Sequence, residues 1–276
     1  MNTGIASLRD WLQRHRRVFV LTGAGCSTGS GIPDYRDAEG GWKRPPPVTI
    51  QAFTGDAAAY RRYWARSHVG WPRFATAQPN AAHRALATLE DSGRCPLLVT
   101  QNVDGLHQRA GARSVIDLHG NLASVVCLSC GERVPREDLQ ARHDAANPGW
   151  SPSGAATAPD GDTDLSDTAV ACFTALGCER CGGLLKPDVV FFGENVPRAR
   201  YQAAVDALHA ADAMLVVGSS LMVYSGYRFA RMAGERGLPL AILNRGRTRA
   251  DDLATLKVDA DIGTALTAVL DRPLAA

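Results

Sequence analysis

The sequence predicts an α/β fold, a mainly parallel sheet carrying a smaller lobe, and three observations predict it. Short apolar runs rich in β-branched residues alternate with amphipathic segments at both ends of the chain. That is the pattern of strands buried on both faces and connected by helices. The first of these runs passes straight into a glycine-rich loop. Two long stretches then break the alternation, one around Pro45-Pro46-Pro47 and an aromatic run, the other around four paired cysteines. Composition agrees: 276 residues, 45% hydrophobic and 21% charged, describe a globular chain with a core of its own. A net charge of +2 is too mild to make nucleic acid or an anionic membrane the main partner.

Taken in order, Ile5, Leu8 and Leu12 make a short amphipathic helix, and "RVFVLTGAG" (17–25) a buried strand entering the glycine loop. "PLLVTQNVDGLHQRAG" (96–111) reads as strand, loop and a helix closed by Gly111. "VIDLHG" (115–120), "DVVFFGE" (188–194), "AMLVVGSS" (213–220) and "LPLAILNRG" (238–246) add four strands. Between them lie the helices "RARYQAAVDALHAA" and "SGYRFARMAGERG". The large lobe thus takes residues 1–37, 81–126 and 183–276. Residues 38–80 form a helical insertion and 127–182 a cysteine-bearing module, whose Pro/Gly/Ser/Asp-rich segment "NPGWSPSGAATAPDGDTD" reads as surface loop.

The N-terminus lacks the apolar core and cleavage site of a secretory peptide. Its basic helix would also suit a transit peptide, but it lies too close to the first strand to be removed cheaply. No apolar run reaches the roughly 18 residues that span a bilayer. A cytoplasmic protein without a membrane partner is expected.

Seven cysteines, an odd number without an export signal, argue against a disulfide framework. Cys127, Cys130, Cys178 and Cys181 form two Cys-x-x-Cys pairs that supply four thiolates, enough to close a tetrahedral zinc site and leave no open position. One structural Zn2+ per chain is expected. The metal therefore does not need His119. This histidine stands at a strand end before a glycine, where α/β sheets gather catalytic groups; a satisfied structural histidine is the alternative.

"LTGAGCSTGSGIPDYR" (21–36) has the strand-before, helix-after context of a dinucleotide loop, in which Gly23 and Gly25 let backbone N–H groups approach a pyrophosphate. Thr28 replaces the third glycine of that fingerprint, and no acidic residue clearly ends a second strand about 20 residues on. A structural turn is the competing reading, against which Asp34, Tyr35 and Arg36 place a carboxylate, an aromatic and a guanidinium beside the loop. Gln101, Asn102 and Asp104 offer hydrogen bonds at another strand end, or cap the helix that follows. "GSS" (218–220) and "NRG" (244–246) repeat the theme after two later strands.

Taken together, GAGCSTGSGIPDYR, TQNVDGLH, the LHG around His119, the two cysteine pairs, KPDVVFFGE, GSSLMV and ILNRG resemble the sirtuins, the NAD-dependent protein deacylases. "YWARSHVGWPRF", "GSSLMVYSGYRFA" and "LNRGRTRADDLA" look like the class II branch, which includes a mitochondrial member described as lipoamidase, deacylase and ADP-ribosyltransferase. The resemblance implies a Rossmann-like sheet with a small lobe made of a zinc-binding module and a helical insertion. It implies that Gly23, Ala24, Gly25, Thr28, Arg36, Gly218, Ser219, Ser220 and Asn244 hold the phosphates and adenosine half of NAD. Arg245, Gly246 and Ile262 would flank that half, and Asp34 and Tyr35 the nicotinamide side. Gln101, Asn102, Val103 and Asp104 would orient the ribose and carboxamide, with Asn102 also catalytic.

His119 would then be the general base, and Val190, Phe191, Phe192 and Gly193 would pair as a strand with an acyl-lysine protein substrate. Tyr63 and Arg66 resemble the Tyr-x-x-Arg pair that reads acidic acyl groups; in the bland reading Arg66 only solvates a helix face. Cys26 departs from the family, where many members carry isoleucine or valine. The implied activity is NAD-dependent removal of acyl groups from protein lysine. Protein mono-ADP-ribosylation, a zinc-ribbon binding module and NAD dehydrogenation are the alternatives, and no direct nucleic-acid partner is expected.

Overall fold

In the computed structural model, residues 3–152, 163 and 165–271 are described. The chain runs α1 (Thr3–Arg14), β1 (Val18–Thr22), α2 (Ile50–Gly55), α3 (Ala57–Thr76), α4 (Ala81–Asp91), β2 (Leu98–Thr100), α5 (Leu106–Arg109) and β3 (Val115–Asp117). It continues through β4 (Gly120–Cys127), β5 (Arg133–Pro135), α6 (Arg136–Ala146), α7 (Asp167–Ala171), β6 (Leu185–Val189) and α8 (Arg198–His209). It ends with β7 (Ala213–Val217), α9 (Tyr224–Glu235), β8 (Leu240–Leu243), β9 (Leu256–Val258) and α10 (Ile262–Leu270). Most of the segment expected as a surface loop, 153–162 and 164, lies outside the described residues.

Six strands form one parallel sheet in the order β3-β2-β1-β7-β8-β9. The central strands β1 and β7 are buried at every position, which is why they read as unbroken apolar runs. Successive residues of a strand face opposite sides, so β1 serves two cores. Val18 and Val20 pack with α1, α4 and α10, while Phe19 and Leu21 pack with α8 and α9. This is the α/β, Rossmann-like architecture that the sequence predicts.

The smaller lobe has a core of its own. β5-β4-β6 form an antiparallel sheet, and α2, α3, α6 and α7 cover it around Phe53, Trp64, Leu139 and Phe173. Within residues 38–80 lie the helices α2 and α3.

Two local expectations are corrected. The run 188–194 is not a strand of the parallel sheet: β6 stops at Val189 and pairs with β4. Beyond it the ladder is broken, because Val190 N–H donates to the His119 carbonyl and Phe191 N–H to the Glu194 carboxylate. The glycine loop leads not into an α-helix but into two 3₁₀ turns, Ala24–Cys26 and Thr28–Ser30. Gly31 at φ +82°, followed by Ile32-Pro33, stops any continuation. β4, β5, β9 and α6 carry too little apolar pattern to stand out in the sequence.

Of the described glycines, Gly120 leaves the least room for a side chain. Its φ is +90°, and a Cβ there would lie 2.0 Å from the Asp188 carbonyl oxygen. Only glycine allows β4 to start immediately after His119.

Three buried histidines remain uncharged in the fold. Burial pushes His83 down to about 4, and His107 and His143 down to about 3. His107 Nδ1 and His143 Nδ1 have no hydrogen-bond partner among the described residues. The unfolded chain protonates these rings near pH 6.5, whereas the folded chain resists until far lower. Their contribution is complete above pH 6.5 and is lost as pH falls towards 4 and 3. Each ring is expected to cost about 1–2 kcal/mol by pH 5. Urea midpoints should therefore fall steadily from pH 7 to 5 and hold from 7 to 8.5. A flat profile below 7 would mean that the rings are already charged or solvated in the fold.

Candidate active site

Because the large sheet is parallel, the C-terminal ends of its strands share one edge. A cavity of about 450 Å³ opens there, between that edge and the small lobe. Of the residues singled out from the sequence, it is lined by Gly23, Ala24, Gly25, Asp34, Tyr35, Arg36, Tyr63, Gln101, Asn102, Val103, Asp104 and His119. Val190, Phe191, Phe192, Gly193, Gly218, Ser219, Ser220, Asn244 and Arg245 complete the set.

Four others lie off the wall. Thr28 is exposed, its hydroxyl donating to the Gly25 carbonyl at 3.0 Å. Gly246 N–H donates to Asp259, Ile262 begins α10 against Gly218, and Arg66 Nε donates to the Thr163 carbonyl at 2.8 Å.

Two loops make the floor by crossing at backbone distance. Gly23 N–H donates to the Val217 carbonyl and Gly25 N–H to the Gly218 carbonyl, at 3.1 and 2.8 Å. Gly218 has φ +63°, and a Cβ on it would sit 2.4 Å from Cys26 N. Ser27 then ties this floor to the loop after β2. Its hydroxyl donates to Asp104 at 2.6 Å and accepts from Asn102 Nδ2 at 3.0 Å, while Nδ2 also reaches the Gly23 carbonyl. Burial raises the Asp104 carboxyl above its ordinary value, a cost that the Ser27 bond partly offsets. Ser219 Oγ donates to Gln101 Oε1 at 2.6 Å, joining the ends of β7 and β2.

His119 follows β3 by two residues and stands at the boundary between the lobes. Its Nδ1 is 2.9 Å from the Gln101 carbonyl and its Nε2 is 2.7 Å from Ser225 Oγ. A carbonyl only accepts, so Nδ1 carries the proton and Nε2 presents a lone pair. Desolvation lowers the ring to about 4, against the raising effect of the Gln101 bond; Arg200 and Arg228 add to the lowering. At neutral pH the ring is an uncharged acceptor ready to take a proton.

Across the cavity, the Val190–Gly193 segment is braced by Lys186, which pairs with Glu194 at 2.8 Å and donates to the Val189 carbonyl. Tyr63 packs on Phe191 at 5.2 Å. Over the mouth, Arg36 lies 3.5 Å above Trp42, and Lys43 pairs with Asp34.

The sequence reading missed Ser225, Arg228 and the Lys186–Glu194 pair. Lys186 and Glu194 stood within the quoted KPDVVFFGE. Ser225 had no signal, because nothing local shows that the first turn of α9 reaches a histidine on another strand.

The four cysteines lie apart from the cavity. Their sulfurs are within 4.8 Å of one another, with Cys127–Cys181 at 3.5 Å and Cys130–Cys178 at 3.8 Å. A tetrahedral zinc with Zn–S bonds of about 2.3 Å has S···S edges of about 3.8 Å, so the donor set fits the ion. The knuckles match: Gly131 N–H donates to the Cys127 carbonyl as Gly182 N–H does to Cys178. The Cys130 amide also helps draw the Cys127 thiol down to about 6. An ion held by these four sulfurs would have no open coordination position.

Residues 23–225 match the Sir2 family model. The chain is 62% identical over 260 residues, 94% of its length and 89% of the relative's, to a protein of Xanthomonas axonopodis pv. citri (strain 306) named NAD-dependent protein deacetylase. It is 52% identical over 270 residues to NAD-dependent protein deacetylase 1 of Streptomyces coelicolor (strain ATCC BAA-471 / A3(2) / M145), covering 98% and 90% of the two. Among solved structures, a Sir2–p53 peptide–NAD+ complex superposes with a TM-score of 0.78 at 33% identity, covering 97% of each chain. Sir2Tm bound to a propionylated peptide superposes with a TM-score of 0.76 at 32% identity, covering 98% of each.

Proposed function

The chain belongs to the Sir2 family, and from that premise we propose that it is an NAD-dependent protein deacetylase acting on acyl-lysine. One observation carries the reading: an uncharged His119 in the wall of a cavity, its Nε2 met by the Ser225 hydroxyl, between the glycine floor on one side and Val190–Gly193 on the other. In this reading acyl-lysine, NAD and water give free lysine, nicotinamide and O-acyl-ADP-ribose. The Gly23–Gly25 and Gly218–Ser220 loops form the floor on which the phosphates lie, close because glycine lets the backbone approach. Asn102, held by Gly23 and Ser27, and the neighbouring Asp104 orient the ribose and carboxamide. The substrate backbone adds to the Val190–Gly193 edge. His119 Nε2 takes the proton of a ribose hydroxyl, and Gln101 stabilises the resulting imidazolium through Nδ1–H.

The zinc module supplies no proton acceptor in this scheme. Cys127, Cys130, Cys178 and Cys181 would hold a zinc ion with all four thiolates, beside the β4–β6 pair.

The test is mass spectrometry of peptides bearing acetyl-, lipoyl-, succinyl- or methylglutaryl-lysine, incubated with NAD. Delabelled peptide with matching O-acyl-ADP-ribose is expected for the acetyl peptide. The same assay ranks the acyl groups, on which Tyr63 beside the cavity and Arg66 outside it bear. Nicotinamide release with intact acyl-lysine and a mass gain on protein would replace the reading with mono-ADP-ribosylation.

The crossing of the floor loops gives a second expectation. Gly218→Ala places a methyl against the Cys26 amide at a φ that side chains avoid. NAD affinity, measured by calorimetry, should fall at least about tenfold, equivalent to about 1.4 kcal/mol. Unchanged affinity would separate NAD binding from this floor.

A further inference from the structure

We propose that Ser225 is a positioning residue for His119: its hydroxyl fixes the tilt of the ring and occupies the Nε2 lone pair until a ribose hydroxyl takes its place. The proposal rests on the deacetylase reading for its role in turnover, but the pairing can be measured without turnover.

The hydrogen-bond arithmetic is closed. Gln101 can only accept, so Nδ1 holds the ring's one proton and Nε2 has none to give. Ser225 Oγ, 2.7 Å away, is therefore the donor. This bond spans two elements distant in sequence, the end of β3 and the first turn of α9. The turn that delivers Ser225 is itself strained. Between β7 and α9 the chain passes through Leu221 at φ 57°, the one non-glycine residue with positive φ among the described residues. Leucine in that conformation persists only where its surroundings enforce it. Here the side chain is buried in the core beneath α9, and its N–H donates to Ser219 Oγ, which in turn donates to Gln101. One chain of contacts thus runs from the turn that places Ser225 to the carbonyl-bearing residue on the other side of the ring.

The electrostatics favour a neutral ring. Arg200 from α8 and Arg228 from α9 face it with positive charge, and Arg228 Nε donates to the Ser225 carbonyl at 3.3 Å. The nearby carboxylates are engaged elsewhere: Asp104 with Ser27 and Leu106 N–H, Asp117 with Gln108 and Asn121, Glu194 with Lys186. A hydrogen bond donated to the lone pair stabilises the unprotonated form further. It also leaves the lone pair pointing where a substrate hydroxyl, a donor of the same chemistry, can displace it without moving the ring.

The experiment is a pH titration followed by ring-15N histidine NMR on zinc-loaded wild type, Ser225→Ala and Ser225→Thr, with His119→Ala assigning the signal. The His119 pKa is expected to rise by about 0.5–1 unit in Ser225→Ala, the size of one lost hydrogen bond, and to return in Ser225→Thr. The acid limb of kcat/KM for NAD should move up by the same amount. On that limb the rate falls about three- to tenfold while KM changes less than about twofold. A His119 pKa in Ser225→Ala equal to wild type overturns the proposal, whatever the activity. A shifted pKa in Ser225→Ala, together with a wild-type enzyme that releases no nicotinamide in the presence of acyl-peptide, sustains the pairing and overturns the deacetylase reading instead.

Discussion

His119→Ala is expected to lower kcat by about 10²–10⁴-fold, the range of a single general base. NAD and acyl-peptide binding should change by less than about threefold. The expectation follows from geometry: the ring contributes its Nε2 to the cavity, while the glycine floor and the Val190–Gly193 edge are built by other residues. It carries a pH signature as well. Enclosure holds the ring near 4, so wild-type activity should be level through neutrality and fall only in acid. That acid limb should vanish with the ring. A variant that still turns over within tenfold of wild type, with the limb intact, would move the role of base to another residue.

The second large effect is expected from the metal. Cys178→Ser removes one of four ligands from a site whose structural counterparts hold zinc with apparent free energies of about 10–16 kcal/mol. Metal content should drop from one equivalent towards zero. β4, β5, β6 and α6 should lose amide-exchange protection, since Cys127 and Cys178 belong to the same core as Leu139 and Leu185. The parallel sheet, with two cores of its own, should keep its protection. Deacetylation should fall by at least about a hundredfold, about 2.7 kcal/mol. His119 stands at the start of β4 and the substrate edge at the end of β6, so both would lose their support. A metal-free variant with full activity and full protection would refute the structural role of the site.

Much of this was legible in the sequence because it depended on short local patterns. β1 and β7 declared themselves as unbroken apolar runs, since both of their faces are buried. The cysteine knuckles and the glycine floor are likewise set by residues a few positions apart. What was not legible depended on pairings between distant segments. The run at 188–194 looks like any buried strand, yet only its first two residues belong to β6, which pairs with β4 in the antiparallel sheet. The glycine loop carried the right residues but the wrong sequel, because Gly31 and Pro33 end it after two 3₁₀ turns. Arg66 has the spacing for an acyl-reading pair with Tyr63, yet its Nε–H goes to the Thr163 carbonyl. Ser225 was invisible until the start of α9 was seen against β3.

Gly120 pairs with Val189, so the point where the chain leaves the large lobe after β3 touches the point where it comes back. An excursion whose two ends already meet adds almost nothing to the entropy of closing the remaining chain. The antiparallel module is therefore topologically a cassette, entered and left at one point of the parallel sheet, with α2 and α3 packed over it from the earlier insertion. His119 stands at that point, so what lies beyond it reaches the ring through β4 and through the bond from Val190 N–H to the His119 carbonyl.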